Sequence, residues 1–345
     1  MKKLLSVILA AVMVSSLALL ASCTSKVQFS RTEISVFDTQ TIILGFEKTK
    51  SAFDENADLI FECLEKYHKL YDIYYEYDGI SNLCTVNKSA GVSPVKVEGE
   101  IIDLLLYSKE MYEKTGGLPN VAMGSVLSIW HDYRTRGLDD PENAALPPLD
   151  VLRNAALHTD IEKVVIDEDA STVYLSDPEM SLDVGAVAKG YAVEMTAQYM
   201  ESLGMTGYAL SVGGNVRCVG EKPDGAKWEI GVQNPDPESE SAYVAKARLS
   251  RESLVTSGTY QRFYTVAEKR YHHIIDPKTL FPKDIYSSVS VICNHSGLAD
   301  AFSTALFNMS PEEGLAFAEK ENLAVAWVYP DGKVEMTDSF EALTK

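Results

Sequence analysis

The chain is poor in cysteine and in positive charge. Five cysteines are spread over 345 residues, with no C-x-x-C pair and no zinc-ligand spacing. Cys63, Cys84, Cys218 and Cys293 therefore read as mostly free, buried small residues, with room for one disulfide at most. Thirty-one Lys and Arg face 50 Asp and Glu, a formal net charge of −19. Such a surface repels nucleic acid and anionic lipid alike, so an anionic ligand would need a local positive pocket or a metal. Three common signatures are also missing. A P-loop requires Gly-Lys-Ser/Thr, but here Lys189 precedes Gly190; neither G-x-G-x-x-G nor a G-x-S-x-G elbow occurs. There is no internal repeat and no low-complexity linker. Long apolar runs are absent except one, Leu4–Leu20, at the extreme N-terminus.

That run carries a function of its own. Lys2 and Lys3 precede it, and Leu20-Ala21-Ser22-Cys23 closes it, the pattern of a secretory signal ending in a lipobox. Residues 1–22 are expected to be removed. Cys23 is expected to carry a diacylglycerol, residues 23–31 to form a tether, and residues 32–345 to form the working domain outside the cytoplasmic membrane. The plain alternative is an anchor helix, for which the run is at the lower length limit. The remainder is large enough for one big domain or two intimate lobes. Helical spacing appears over Ala57–Tyr74, Glu100–Lys114, Ala186–Leu203 and Ala299–Met309, interleaved with short strand patterns. The elements do not alternate as regular βαβ units. The expected fold is thus α+β, one large domain of mixed or antiparallel sheets with packed helices.

Several segments carry chemistry, each weakly. Leu182-Asp183-Val184-Gly185-Ala186-Val187-Ala188-Lys189-Gly190 sets a carboxylate, two glycines and an ammonium between a strand and a helix. Such a corner can present N–H groups and a cation to a phosphate, or it can be an ordinary turn. Asp300 and Thr304, four residues apart on a helix, put two hard oxygens on one face, as magnesium accepts. His272-His273 near the end of a strand sends one ring to each face, so only one can enter a given site as a base. Thr256-Ser257-Gly258-Thr259-Tyr260 offers hydroxyls around a glycine and could equally be a turn. Gly213-Gly214-Asn215 reads as a hairpin turn.

Taken in order, these segments resemble the FAD:protein FMN transferases, the ApbE family. The match runs through Asp183–Gly190, Ser211–Asn215, Trp228–Pro235, Thr256–Tyr260, His273–Pro277 and Asp300–Ala305, with looser agreement at Gly116–Asn120 and Tyr74–Asn87. The resemblance implies magnesium-dependent transfer of FMN from FAD to a Thr or Ser hydroxyl of a target protein, through a phosphoester bond, with AMP released. It implies Mg²⁺ on Asp300, Thr304 and the Ala186 carbonyl. It implies FAD contacts from Phe37, Leu118, Pro119, Asn120, Asp183, Lys189 and Ile274. It gives His273 the role of base, with Asp276 beside it as a second catalytic candidate. Tyr77 best matches the flavin-stacking tyrosine, and Tyr74 competes. The implied partner is a membrane redox subunit or secreted flavoprotein with an Asp-Gly-x-Thr/Ser-Gly-Ala/Ser-Thr type acceptor motif, which this chain lacks.

Two departures stand out. Phe37-Asp38-Thr39 occupies the place of the family's frequent Met-Gly-Thr, and Asn120 stands where many members carry Asp. Two other readings share the same residues: an FAD pyrophosphatase with water as acceptor, and a flavin-binding lipoprotein without chemistry.

Overall fold

The computed structural model describes residues 25–345. The expected signal peptide and the lipidation candidate Cys23 lie outside the described residues. Among the described residues no helix is long and apolar enough to cross a membrane.

The core is an eight-stranded sheet whose order in space repeats its order in the chain. Its strands are β1 (Val27–Val36), β2 (Thr39–Glu47), β3 (Tyr208–Val212), β4 (Asn215–Val219), β5 (Ser253–Gly258), β6 (Ser288–Cys293), β7 (Ala324–Val328) and β8 (Val334–Met336). Every neighbouring pair is antiparallel. This is the α+β domain expected from the irregular alternation of elements. The strand β1 takes in Val27–Arg31, which the sequence reading assigned to the tether. Alternating Ser30–Leu44, Thr32–Ile42 register with β2 holds that segment in the sheet.

Side-chain periodicity shows how the sheet is covered. Along β3, Tyr208, Leu210 and Val212 pack toward the helices, while Ala209 packs toward the opposite layer. Strands buried on both faces need apolar residues at successive positions. The strand β7 is buried throughout, and β6 through its first five residues. The helical layer contains α1 (Lys50–Tyr71), α2 (Gly99–Lys114), α3 (Gly124–Asp139), α4 (Ala188–Ser202) and α5 (Ser296–Asn308). The opposite face is covered by the Trp228–Gln233/Tyr243–Leu249 hairpin and the C-terminal helix Asp338–Thr344, around Trp228, Val232 and Phe340.

Helix α1 starts at Lys50, well before the periodic stretch from Ala57, because Thr49 is its cap: Thr49 Oγ1 accepts the Ala52 N–H at 3.2 Å. Two further differences affect the site. Thr256-Ser257-Gly258 is the end of β5 rather than a turn, its register with β6 unbroken to Gly258 and Ser288. Residues 124–139, which lie outside the stretches of helical spacing in the sequence, form the helix α3.

A buried ion pair locks the two helices that matter most. Arg217 Nε on β4 donates to Glu194 Oε2 on α4 at 3.1 Å, and the Ser296 N–H at the start of α5 donates to the same oxygen at 2.7 Å. Burial pushes the Glu194 carboxyl up, but Arg217 and that N–H pull harder, and its pKa ends below the ordinary glutamate value. The start of α5 is thereby tied to α4, two turns into that helix, on the Ser253–Cys293 side of the sheet.

Candidate functional site

Antiparallel register brings three chain segments to the other end of the sheet, away from Arg217, Ser253 and Cys293. The β1–β2 turn carries Phe37 and Asp38, the β3–β4 turn carries Gly213, and β5 ends at Gly258. Phe37 and Asp38 both have positive φ, 54° and 49°. That is the geometry a two-residue hairpin of the right twist demands, and neither residue is glycine. Gly213 has φ 53°, and a Cβ there would lie 2.5 Å from Thr39 Oγ1, so only glycine lets the two turns touch.

Between these segments, the start of α4 and the middle of α5 lies a cleft of about 510 Å³, within the range of small-molecule sites. Of the sequence candidates, Phe37, Leu118, Pro119, Asn120, Asp183, Ala186, Lys189, His273, Ile274, Asp300 and Thr304 all line it. Tyr77 and Asp276 do not.

The loop before α4 is fixed at both ends. Asn87 clamps it, with Oδ1 accepting the Leu182 N–H at 2.7 Å and Nδ2 donating to the Leu182 carbonyl at 3.0 Å. Asp183 is nearly buried; its Oδ1 accepts the Gly185 N–H at 2.9 Å, which folds the corner back on itself. Lys189 Nζ reaches Asn215 Oδ1 at 3.2 Å, and Lys189 also lines the cleft. Asp300, 4% exposed, accepts the Gly190 N–H at 2.7 Å through Oδ2. One turn on, Thr304 Oγ1 lies 3.3 Å from Ser257 Oγ, which also meets Ser303 Oγ at 2.8 Å. The oxygens open to a hard cation are therefore one carboxylate, hydroxyls and the backbone of the 183–189 loop. Among the described residues there is no cluster of three or more His, Cys, Asp or Glu that could hold a metal. A set with one carboxylate suits a cation that completes its shell with water and phosphate, and fits magnesium better than zinc.

The adjacent histidines divide as their strand geometry requires. His272 is buried; its Nε2–H donates to the Lys283 carbonyl at 2.9 Å and its Nδ1 accepts the Ile274 N–H at 3.2 Å. His273 faces the cleft. The Arg262 carbonyl accepts its backbone N–H at 3.1 Å and lies 3.2 Å from its Nδ1. A carbonyl only accepts, so the ring proton sits on Nδ1 and Nε2 keeps its lone pair. Burial, helped by the nearby Arg262, pushes the His273 pKa down to about 3. The ring is neutral at ordinary pH and free to take a proton.

Two candidates fall elsewhere for identifiable reasons. Asp276 is 1% exposed and caps its own turn, accepting from the Lys278 and Thr279 N–H groups at 3.3 Å, with Lys283 Nζ 3.4 Å away. Tyr77 donates its hydroxyl to Asp72 Oδ2 at 2.8 Å and packs edge-on to His68. Asp72 Oδ1 accepts the Tyr74 N–H at 2.7 Å, and the turn it makes brings Tyr74 to the cleft instead. Asn120 uses both ends of its amide: Oδ1 accepts the Ala122 N–H and Nδ2 donates to the Thr159 carbonyl, both at 2.9 Å. An aspartate could not make the second bond.

The structure adds His131, His68 and Arg262 to the cleft wall. His131 comes from α3. Its Nδ1 lies 3.0 Å from the Tyr74 hydroxyl and its Nε2 4.0 Å from Asp183 Oδ2. Burial pushes its pKa down against the pull of Asp183, and Arg134 and Arg262 push the same way, so the ring is neutral. The signal in the sequence was the i, i+4 pair Val126 and Trp130, which puts one face of α3 into the core and His131 beside it.

Residues 31–327 match the ApbE family. A Klebsiella pneumoniae protein named FAD:protein FMN transferase is 30% identical over 298 residues, covering 85% of this chain and 89% of its own. A Haemophilus influenzae protein of the same name is 27% identical over 355 residues, covering 100% of this chain and 98% of its own. Among solved structures, the ApbE protein of Thermotoga maritima superposes with a TM-score of 0.80 at 25% identity, over 92% of this chain and all of that one (100%). The flavin transferase ApbE of Vibrio cholerae gives a TM-score of 0.75 over 92% of this chain and 99% of that one; at 23% identity it speaks to the fold alone.

Proposed function

This chain belongs to the ApbE family, is a transferase with that family's fold, and from that premise we propose that it moves FMN from FAD onto a Thr or Ser hydroxyl of another protein. The observation that carries the reading is the convergence of Lys189, His273, Asp300 and Thr304 on one cleft. A cation, a base with a free lone pair and a hard-oxygen face are what transfer of a phosphoryl-type group to a hydroxyl requires.

In this reading the acceptor hydroxyl approaches His273 Nε2, which takes its proton as the oxygen bonds to the FMN phosphorus. The bond from that phosphorus to the bridging oxygen breaks, and AMP leaves with the electron pair. Lys189, oriented by Asn215, offsets the pyrophosphate charge that an acidic protein would otherwise repel. Asp300, Thr304 and the Ala186 carbonyl would hold Mg²⁺, which when bound neutralises developing charge on the phosphate oxygens. A bound dianion beside the ring would raise the His273 pKa toward the neutral range, where a base works best. Tyr74, on the cleft wall, takes the flavin-stacking place in preference to Tyr77. We further propose that the chain works lipid-anchored through Cys23 on the extracytoplasmic face.

The test uses the full chain in detergent with FAD, Mg²⁺ and a domain carrying the acceptor motif. A denaturing gel should show flavin fluorescence on the acceptor, with equimolar AMP, and both should vanish with EDTA. AMP without a fluorescent band would mean water is the acceptor. Intact FAD throughout would reduce the protein to a flavin binder.

A further inference from the structure

Two arginines beside this cleft have no carboxylate. Arg262 lines it, and its backbone carbonyl holds His273. Arg134 is on α3, three residues after His131 and so on the same side of the helix, one turn on. The sequence has 50 acidic residues to 31 Lys and Arg, and among the described residues many Lys and Arg have found a carboxylate. Arg31, Arg136 and Arg217 all pair within 3.4 Å. Neither Arg134 nor Arg262 has an acidic partner within 4 Å or a side-chain hydrogen bond to the rest of the described residues.

The two also act on the same neighbours. Both depress the pKa values of His131 and His273, and Arg262 lowers that of Arg134 itself. Holding two like charges in one field, one of them half-buried, is unfavourable, and the Asp183 carboxylate offsets it only in part: burial and Arg262 still leave the Arg134 pKa below its ordinary value. The inner cleft has separate means of handling the pyrophosphate, in Lys189 and the oxygens around Asp300. Arg262 is instead exposed where it lines the cleft, next to His273, whose ring its carbonyl holds.

We propose that Arg134 and Arg262 form a docking site for an acidic side chain of the acceptor polypeptide, next to the hydroxyl that reacts. This rests on the transferase reading above. The site would draw a negatively charged segment to this positive part of the rim and set the neighbouring hydroxyl over His273 Nε2. Guanidinium groups suit a carboxylate because they can bind it through two parallel hydrogen bonds.

The experiment separates docking from chemistry. The full chain in detergent is titrated into a fluorescein-labelled peptide with one threonine flanked by two aspartates, and into the same peptide with asparagines instead. FAD affinity is measured in parallel by quenching of flavin fluorescence. Arg134→Gln, Arg262→Gln and the double variant are compared with Arg134→Lys and Arg262→Lys, and melting temperatures confirm folding. The expected result is binding of the aspartate peptide about tenfold or more weaker in the double variant, with FAD affinity unchanged and partial rescue by lysine. Wild type should bind the asparagine peptide as weakly, and the difference should shrink with salt. If FAD affinity falls instead, the arginines serve the donor's phosphates and the proposal is overturned. Equal binding of both peptides overturns it as well. Loss of peptide binding in the variants, in a wild type that transfers no FMN, leaves the docking site standing and removes the transferase reading.

Discussion

Gly190 and Asp300 are in direct contact across the α4–α5 junction. The Gly190 N–H donates to Asp300 Oδ2 at 2.7 Å, and a Cβ built on Gly190 would lie 2.4 Å from Asp300 Cβ and 2.6 Å from the Ser296 carbonyl oxygen. The helix that carries Lys189 thus orients the carboxylate of the helix that carries Thr304, and does so with backbone. Gly190→Ala must push the two helix starts apart. It should cost roughly 1–3 kcal/mol of stability, read by denaturant unfolding, and raise the Mg²⁺ concentration needed for half-maximal turnover.

Asp300→Asn keeps the shape of the side chain and an oxygen for the Gly190 N–H, but removes the charge. Folding should be close to wild type. Transfer should fall by about a hundredfold or more at limiting Mg²⁺ and recover partly at high Mg²⁺, since a charge-assisted contact is worth about twice a neutral one. Turnover unchanged at limiting Mg²⁺ would remove Asp300 from the metal set.

His273→Ala should leave FAD affinity intact and slow transfer by about 10²–10⁴-fold at saturating FAD. The same residue predicts a pH effect on stability. An unfolded histidine takes its proton near pH 6.5, whereas folded His273 holds off to about 3. Falling pH through that window therefore favours the unfolded chain, which binds the extra proton. His273→Asn should flatten the decline of the melting temperature below pH 6.5 relative to wild type.

Tyr74 and Tyr77 give a discriminating pair. Tyr74→Ala should weaken FAD binding by about tenfold or more, the loss of one stacked ring. Tyr77→Phe removes only the hydroxyl that steadies Asp72 and should change FAD affinity by less than about threefold. The reverse pattern in a fluorescence titration would return the flavin contact to Tyr77.

Asp38→Gly tests the strained lip of the cleft. A residue at φ 49° costs about 1 kcal/mol unless it is glycine, partly offset by glycine's greater freedom in the unfolded chain. The melting temperature should hold or rise slightly. FAD should bind a few-fold more tightly once a carboxylate leaves the wall of a pyrophosphate site.

The parts of the site legible in the sequence were those written in backbone. Gly185, Gly190 and Gly213 mark positions where chains come close, and the i, i+4 pair Asp300 and Thr304 needs only a helix to share a face. What escaped depended on how turns are capped. Asp72 decides which tyrosine reaches the cleft, through two N–H bonds and a hydroxyl that no register count reveals. Asp276, beside a histidine, looked catalytic because a carboxylate occupied by its own turn has the same letter as a free one. His131 and Arg134 were hidden because the core face of α3 is narrow, Val126, Trp130 and small Gly124 and Gly137 being its buried residues, too few to announce a helix.

The strand β1 sets a working height. It starts at Val27, four residues after Cys23, and ends beside the turn that lines the cleft, so entry and site are at opposite ends of one strand. Ten residues of strand span roughly 30 Å, and the three before it reach about 10 Å more. Were Cys23 lipidated as proposed, only residues 24–26 would separate the lipid from the rigid sheet, and the cleft could tilt toward the bilayer but not move farther from it. Acceptor hydroxyls would then be selected by altitude as well as by chemistry: those farther than roughly 40 Å from the bilayer lie beyond the cleft's reach, whatever sequence surrounds them.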